Sequence, residues 1–258
     1  MINTKAVISD CAKKCSIEIF GFKENAFVAL FPYYVENEKG NISIYARSVD
    51  YHSVIKKRLE PIKNEFIASG AKNAYIHCDN GEENDREAAY LAGLGFYGKN
   101  GMLINDKYGS YFFIGQVIHD LPTECGKPLE KNCCGCNKCI ESCPGGALSN
   151  SGFDICRCLS YITQKKGELS KAEKELIKKG GMCWGCDVCQ KVCPHNKNLK
   201  TNAIKEFHEK RITSFSFDEL SSLSGRQFKK LYGSYAFAWR GLAPIKRNLE
   251  ILSEDVYE

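Results

Sequence analysis

Two copies of one cysteine pattern constrain this chain more than any other feature. Within "CCGCNKCIESCPGGAL", Cys133, Cys136, Cys139 and Cys143-Pro144 form C-x2-C-x2-C-x3-C-P, and Cys183, Cys186, Cys189 and Cys193-Pro194 form it again. Three cysteines this close wrap a [4Fe–4S] cube, and the fourth reaches across to a second cube. A structural zinc site instead uses two separated C-x2-C pairs. The doubled run therefore favours two cubes over zinc.

The spacing is that of bacterial two-cluster ferredoxins. Crossed ligation gives Cys133, Cys136, Cys139 and Cys193 to the first cluster, and Cys143, Cys186 and Cys189 to the second. Two residues compete for the remaining place. A symmetric pattern uses Cys183, whereas Cys158 in "CRCLSYITQ" is the rival, and spacing alone favours Cys183.

The surroundings fit metal chemistry better than disulfides. The first residues, "MINTKAVISDCAKKCSIEIF", contain no basic segment followed by an apolar run, and no stretch approaches the roughly 18 apolar residues of a membrane span. The expected compartment is the cytoplasm, with no membrane partner, and reducing conditions there keep thiols free. Twelve of the fifteen cysteines lie between Cys125 and Cys193. Cys11, Cys15, Cys78, Cys125, Cys134 and Cys156 fall outside the pattern and read as small buried hydrophobes or bystander thiols. Cys78 stands out among them because it precedes Asp79. His195 in "CPHN" reads as an exposed histidine or as a hydrogen-bond partner for a cluster sulfur.

A chain of 258 residues with 43% hydrophobic and 26% charged content can bury a substantial core. Its net charge of +5 is unevenly placed. Residues 157–200 carry ten Lys/Arg against four acids, enough to steer a polyanion or simply to form a solvated helix face.

Before residue 123 the sequence reads as α/β. "AFVALFPYY" and "NISIYA" are expected strands split by "ENEKGN". "DYHSVIKKRLEPIKNEFIASG" places Val54, Ile55, Leu59, Ile62, Phe66 and Ile67 at helical spacing, with Gly70 as C-cap. "AYIHC" reads as a strand, "ENDREAAYLAGLG" as a short helix, and "GMLI" with "SYFFIGQVI" as a hairpin across "NDKYG". Beyond the "DLPTECGKP" linker come the cysteine region and a helical tail. The expected domains are 1–122, 123–200 and 201–258.

Longer motifs carry a family resemblance. "DYH", "DNGEENDREAAYLAGLGFYGKN", "GSYFFIGQVIHDLP", "CCGCNKCIESCPGGAL", "RCLSYITQ", "GCDVCQKVCPHN" and "FKKLYGSYAFAWRGLAPIKRNL" occur in the order found in the epoxyqueuosine reductase family. The resemblance spans about residues 42–250. It implies a cobalamin-dependent reductase with two [4Fe–4S] clusters, related to reductive dehalogenases, that removes the epoxide oxygen of epoxyqueuosine in the anticodon loop of tRNA. The implied fold is α+β: a mixed-sheet cobalamin-binding domain, a ferredoxin-like insert and a helical tail packing back. In such proteins the cysteine of "RCISYLT" is a cluster ligand, which shifts the choice at the second cluster from Cys183 to Cys158.

The family's catalytic aspartate corresponds to Asp79, at the start of "DNGEENDR". Opening an epoxide leaves an alkoxide that needs a proton, and a carboxylic acid in a buried setting can keep one near neutrality. From local sequence alone Asp79 is an ordinary turn residue. For cobalamin, the D-x-H-x-x-G signature of a lower histidine ligand breaks at Ile55, so base-off binding is expected. Gly98, Lys99 and Asn100 of "GFYGKN", with Arg47, His52 and Ser160, are the expected cofactor contacts. A reduced ferredoxin or flavodoxin is the expected donor, and a monomer the expected state.

Past residue 250 the family continues into helical repeats that help hold tRNA. A compact form without them is the expectation here, and it weakens tRNA as substrate. Two further functions compete: cobalamin-dependent reduction of a smaller molecule, and a ferredoxin-like electron carrier needing only the cysteines.

Overall fold

The computed structural model describes residues 4–36, 38–79, 81 and 83–254. They fall into two compact units, Met1–Tyr33 with Tyr51–Cys134, and Tyr34–Asp50 with Gly135–Glu258.

The first unit is built on strands β1 (Ile19–Lys23), β2 (Ala26–Pro32), β3 (Ala74–His77) and β6 (Phe112–His119), with helices α1 (Thr4–Lys14), α2 (Tyr51–Ala68) and α3 (Asp85–Leu91). The sheet order is β1-β2-β6-β3. All three pairings are antiparallel, so the α+β class holds while the sheet is not mixed. Alternation along β2 explains the layering. Ala26, Val28 and Leu30 pack with Ala88 and Ala89 of α3, whereas Phe31 and Gly115 face Ile55 and Leu59 of α2. With both faces covered, every residue of β2 is buried, which is why it reads as a continuous apolar run. A Cβ on Gly115 would lie 2.4 Å from Ile55 Cγ2, so glycine sets how closely α2 approaches β6.

Helix α2 buries Val54, Ile55, Leu59, Ile62 and Phe66, each contributing about 1.5–3 kcal/mol. Ile67 turns outward instead, at 46% exposure. Gly70 follows at φ +101°, as expected of a helix stop. The expected hairpin shrinks to one antiparallel bridge, Asn105 to Gly109. Leu103–Ile104 (β5) pairs with Phe96–Tyr97 (β4), leaving β6 free to occupy the centre of the large sheet.

The second unit contains α4 (Lys138–Glu141), α5 (Leu159–Gln164), α6 (Lys171–Gly180), α7 (Val188–Lys191), α8 (Lys205–His208), α9 (Phe217–Ser221), α10 (Gly225–Tyr232) and α11 (Leu242–Ser253). Leu159, Ile162, Leu169, Ile177, Met182 and Ile251 form one core shared by α5, α6 and α11. Capping boxes at Ser170–Glu173, Ser216–Glu219 and Ser224–Gln227 start α6, α9 and α10.

One expectation changes in this unit. "NISIYA" forms a 3-10 turn at Ile44–Ala46, with only an isolated bridge from Ile42 to Trp184. The cause is a long-range partner: Asp187 accepts hydrogen bonds from Ser43 Oγ and from the Ile44 amide at 3.0 Å, drawing the backbone out of a strand ladder. Residues 34–50 are tied to the cysteine region through Asn41 and Ser43, and α11 packs on α5 and α6.

Candidate functional site

Asp79 sits just beyond β3 with a left-handed backbone, φ +54°. Few residues besides glycine adopt that conformation without cost, although aspartate tolerates it better than most. Two side chains hold it. The Asp79 amide donates to Asp85 Oδ2 at 2.6 Å, and the Tyr51 hydroxyl donates to Asp79 Oδ2 at 2.5 Å. The Asp79 side chain is exposed, not buried as a pocket acid would be. Cys78, beside it, is half-buried.

Asp85 is the anchor of this loop. Its Oδ1 accepts from Gln116 Nε2 at 2.5 Å and lies 3.4 Å from His77 Nε2. Burial pushes its carboxyl up, against the lowering effect of the Gln116 hydrogen bond, the Asp79 amide and His77. Tyr51 is held in turn by aromatic stacking: Phe113 lies 4.1 Å away at 8°, and His52 4.2 Å away at 25°. Tyr33 extends the series at 4.5 Å from Phe113. Sequence reading passed over Asp85 and Tyr51. The signal was present, since Tyr51 lies in "DYH" and Asp85 in "DNGEENDR".

The remaining expected cofactor contacts fare unevenly. Arg47 is wholly buried; its Nε donates to Ile42 O at 2.7 Å and its Nη1 to Glu38 O at 3.0 Å. Arg47 thus fastens the segment around Glu38. Asn100 is 9% exposed, and its Oδ1 accepts from the Met102 amide, closing a turn. Gly98 and Gly101 bracket that turn with a backbone bond of 2.9 Å. The Lys99 amide donates to Cys133 Sγ at 3.2 Å, so this loop offers its N–H to sulfur. His52 and Ser160 are partly exposed, at the starts of α2 and α5. A cavity of about 540 Å³ along α2, lined by Ser53, Lys56, Lys57, Glu60, Pro61 and Asn64, includes none of the expected residues. The features of the first unit that suit a planar cofactor with a proton donor are therefore the exposed Asp79 carboxyl and the aromatic stack ending on it.

The cysteine runs show their internal repeat in three dimensions. Gly135 and Gly185, each just before the second cysteine, take φ +76° and +72°. Cys139 on α4 and Cys189 on α7 follow in matching single turns, and α4 packs against α7. A Cβ on Gly185 would also strike Ser43 Cβ at 2.4 Å.

Four thiols are gathered in the second unit. Burial pushes Cys189 up to about 12, with added repulsion from Cys186, Cys158 and Cys143. Cys186 is pushed up to about 11 by burial, then by Asp187, Cys158 and Cys143. Thiols so placed resist ionisation unless a cation compensates them, which suits a cluster donor set. Cys183 is elsewhere. It is fully buried, donates to Asn41 Oδ1 at 3.2 Å, and burial alone pushes it up to about 12. The Cys143 sulfur also accepts the Ala147 amide at 3.3 Å. His195 is partly buried in the turn Pro194–Asn196.

Part of the basic excess in residues 157–200 is locally engaged. Arg157 donates to Gly145 O, Lys165 pairs with Glu173, and Lys178 pairs with Glu254. No helix of the described residues is long and apolar enough to cross a membrane.

A doubled cysteine run of this spacing marks an iron–sulfur protein, and the sheet-bearing unit presents a held aspartate. Residues 132–196 match the 4Fe-4S double cluster binding domain, and residues 25–79 match "Epoxyqueuosine reductase QueG, DUF1730". An epoxyqueuosine reductase of Leadbetterella byssophila is 34% identical over 218 residues, 83% of this chain and 70% of that one. One from Lactococcus garvieae is 36% identical over 222 residues, 84% of this chain and 62% of that protein. The chain belongs to the epoxyqueuosine reductase family. It spans about half to three-fifths of the length of most curated relatives it matches. Among solved structures, an epoxyqueuosine reductase with an epoxyqueuosine-modified tRNA stem loop aligns with TM-score 0.84 at 26% identity, covering 96% of this chain and 80% of that one. The Bacillus subtilis enzyme, described with its catalytic aspartate loop swung out of the active site, aligns at 0.81 and 25%, covering 97% and 82%.

Proposed function

We propose that this chain is a reductase that converts epoxyqueuosine to queuosine in tRNA, using cobalamin and two [4Fe–4S] clusters. The observation that carries the reading is Asp79: an exposed carboxyl on left-handed backbone, fixed by Asp85 through its amide and by Tyr51 through its side chain. The family resemblance supports the cofactors. Cobalamin supplies a reducing, nucleophilic metal centre when bound, and the clusters supply electrons singly.

The overall change takes two electrons and two protons, turning an epoxide into an alkene and water. Asp79 is assigned the delivery of a proton to the oxygen as the ring opens. The Tyr51 hydroxyl orients that carboxyl, and the Asp85 bond keeps the loop from relaxing to ordinary backbone. His52 and the Tyr51–Phe113 stack offer an aromatic wall beside it. For the clusters, we assign Cys133, Cys136, Cys139 and Cys193 to the first and Cys143, Cys158, Cys186 and Cys189 to the second. The mutual repulsion of the last three with Cys143, and the separate bond of Cys183 to Asn41, support Cys158 as the fourth ligand. The electron donor assigned is a reduced ferredoxin or flavodoxin.

The test is anaerobic loading with iron, sulfide and cobalamin, followed by reductant and an epoxyqueuosine-containing RNA stem loop. Loss of one oxygen from the modified base is expected. Full cofactor loading without that product would overturn the tRNA reading, and turnover of a free epoxide alone would point to a smaller substrate.

A further inference from the structure

Trp239 is 61% exposed, whereas Trp184, the other tryptophan of the chain, is fully buried. Leaving an indole in water forgoes one of the largest burial gains available to a side chain. Its surroundings also differ from a random surface position. The Arg240 guanidinium lies 3.9 Å from the Trp239 ring centroid and covers part of the indole. The Trp239 Nε1 donates to Gln164 Oε1 at 3.3 Å, which fixes the plane of the ring. Gln164 is itself held by the Ser160 carbonyl at 2.9 Å. Tyr161, 41% exposed, lies one turn earlier on α5, on the side that carries Gln164. Arg240 Nε is buried and has no hydrogen-bond acceptor among the described residues. Lys166, just past α5, is exposed.

We infer that Trp239, with Arg240, Gln164 and Tyr161, forms a stacking platform for an unpaired base of RNA. This rests on the reading that RNA carries the substrate. An oriented indole with an arginine on it and an open flank is the arrangement on which unpaired bases stack. Arg240 then serves twice, stiffening the indole through cation–π contact and presenting positive charge to the phosphate beside the stacked base.

The experiment measures fluorescence anisotropy of a labelled, unmodified anticodon stem loop against cluster-loaded wild type, Trp239→Ala, Trp239→Phe and Arg240→Gln. Trp239→Ala is expected to weaken binding roughly tenfold, with Trp239→Phe within about threefold of wild type. The salt dependence stays the same in Trp239→Ala and becomes shallower by about one in Arg240→Gln. Trp239 is exposed, so far-ultraviolet dichroism and cluster absorbance of the variants should match wild type.

Binding by Trp239→Ala within about twofold of wild type overturns the platform. So does a raised KM for reduced flavodoxin with unchanged RNA affinity, which would mark a protein-docking face. Loss of affinity in Trp239→Ala alongside absent epoxide reduction by wild type would leave the platform standing and remove the reductase reading. Turnover with unchanged affinity would do the reverse.

Discussion

The two cysteine runs share a spacing and differ at their first member. Cys133 is half-buried, and its sulfur accepts the Lys99 amide. Cys183, its counterpart, has no exposed surface and gives its thiol hydrogen to Asn41 Oδ1. The amide of Cys183 also bonds Asn41 O, so both ends of the residue stitch residues 34–50 to the cysteine region. Spacing sets which cysteines can reach a cube, and the neighbouring donors and acceptors decide which are left free to do so. At Cys183 the neighbours favour a structural thiol, and the grouping of Cys158 with Cys143, Cys186 and Cys189 supports the ligand set proposed above.

The comparison is broken most easily by removing the rivals in turn. Cys158→Ser is expected to lower bound iron from about eight to about four atoms per chain and to abolish turnover, while Cys183→Ser keeps about eight. Equal iron loss in both variants, measured by iron and sulfide analysis with EPR, would restore the symmetric assignment. A weaker effect belongs to the aspartate loop. Tyr51→Phe removes the hydroxyl bound to Asp79 and should slow epoxide reduction roughly tenfold with both clusters intact, about the worth of one hydrogen bond.

Lys99→Pro sharpens the comparison at the first run. Lys99 is the second residue of the Gly98–Gly101 turn, where proline fits, so the substitution deletes the N–H to Cys133 without unfolding the loop. Loss of a hydrogen bond to a ligand sulfur should make the potential of the first cluster more negative, read by redox titration, with the second unmoved.

The smallest effect concerns pH. Because burial raises the Asp85 carboxyl, the folded protein holds that proton more tightly than the unfolded chain does. Its contribution to stability is complete below about pH 4 and declines as pH rises through the folded value. Asp85→Asn should flatten that decline in urea midpoints measured over about pH 4–7.

Much of this was legible in the sequence. The continuous apolar run of β2, the period of α2 and the doubled cysteine run each depend on residues close in the chain. What was not legible depends on partners far away. "NISIYA" has strand composition, but Asp187, more than 140 residues later, captures Ser43 and Ile44. "GMLI" turns from its neighbour to pair with Phe96–Tyr97. Arg47 reads as a cationic side chain, and its full burial with bonds to the Glu38 and Ile42 carbonyls appears only in three dimensions. Asp79 was identified through the family resemblance; its spacing alone gives a turn aspartate, and its left-handed backbone, Asp85 and Tyr51 appear only in three dimensions.

The central claim concerns the proton at Asp79, and the most direct measurement compares wild type and Asp79→Asn, loaded in parallel, in single-turnover reduction of an epoxyqueuosine stem loop. The account predicts a rate lowered about 100-fold or more in the variant, with cluster and cobalamin content unchanged. Deoxygenation by Asp79→Asn at the wild-type rate would contradict it.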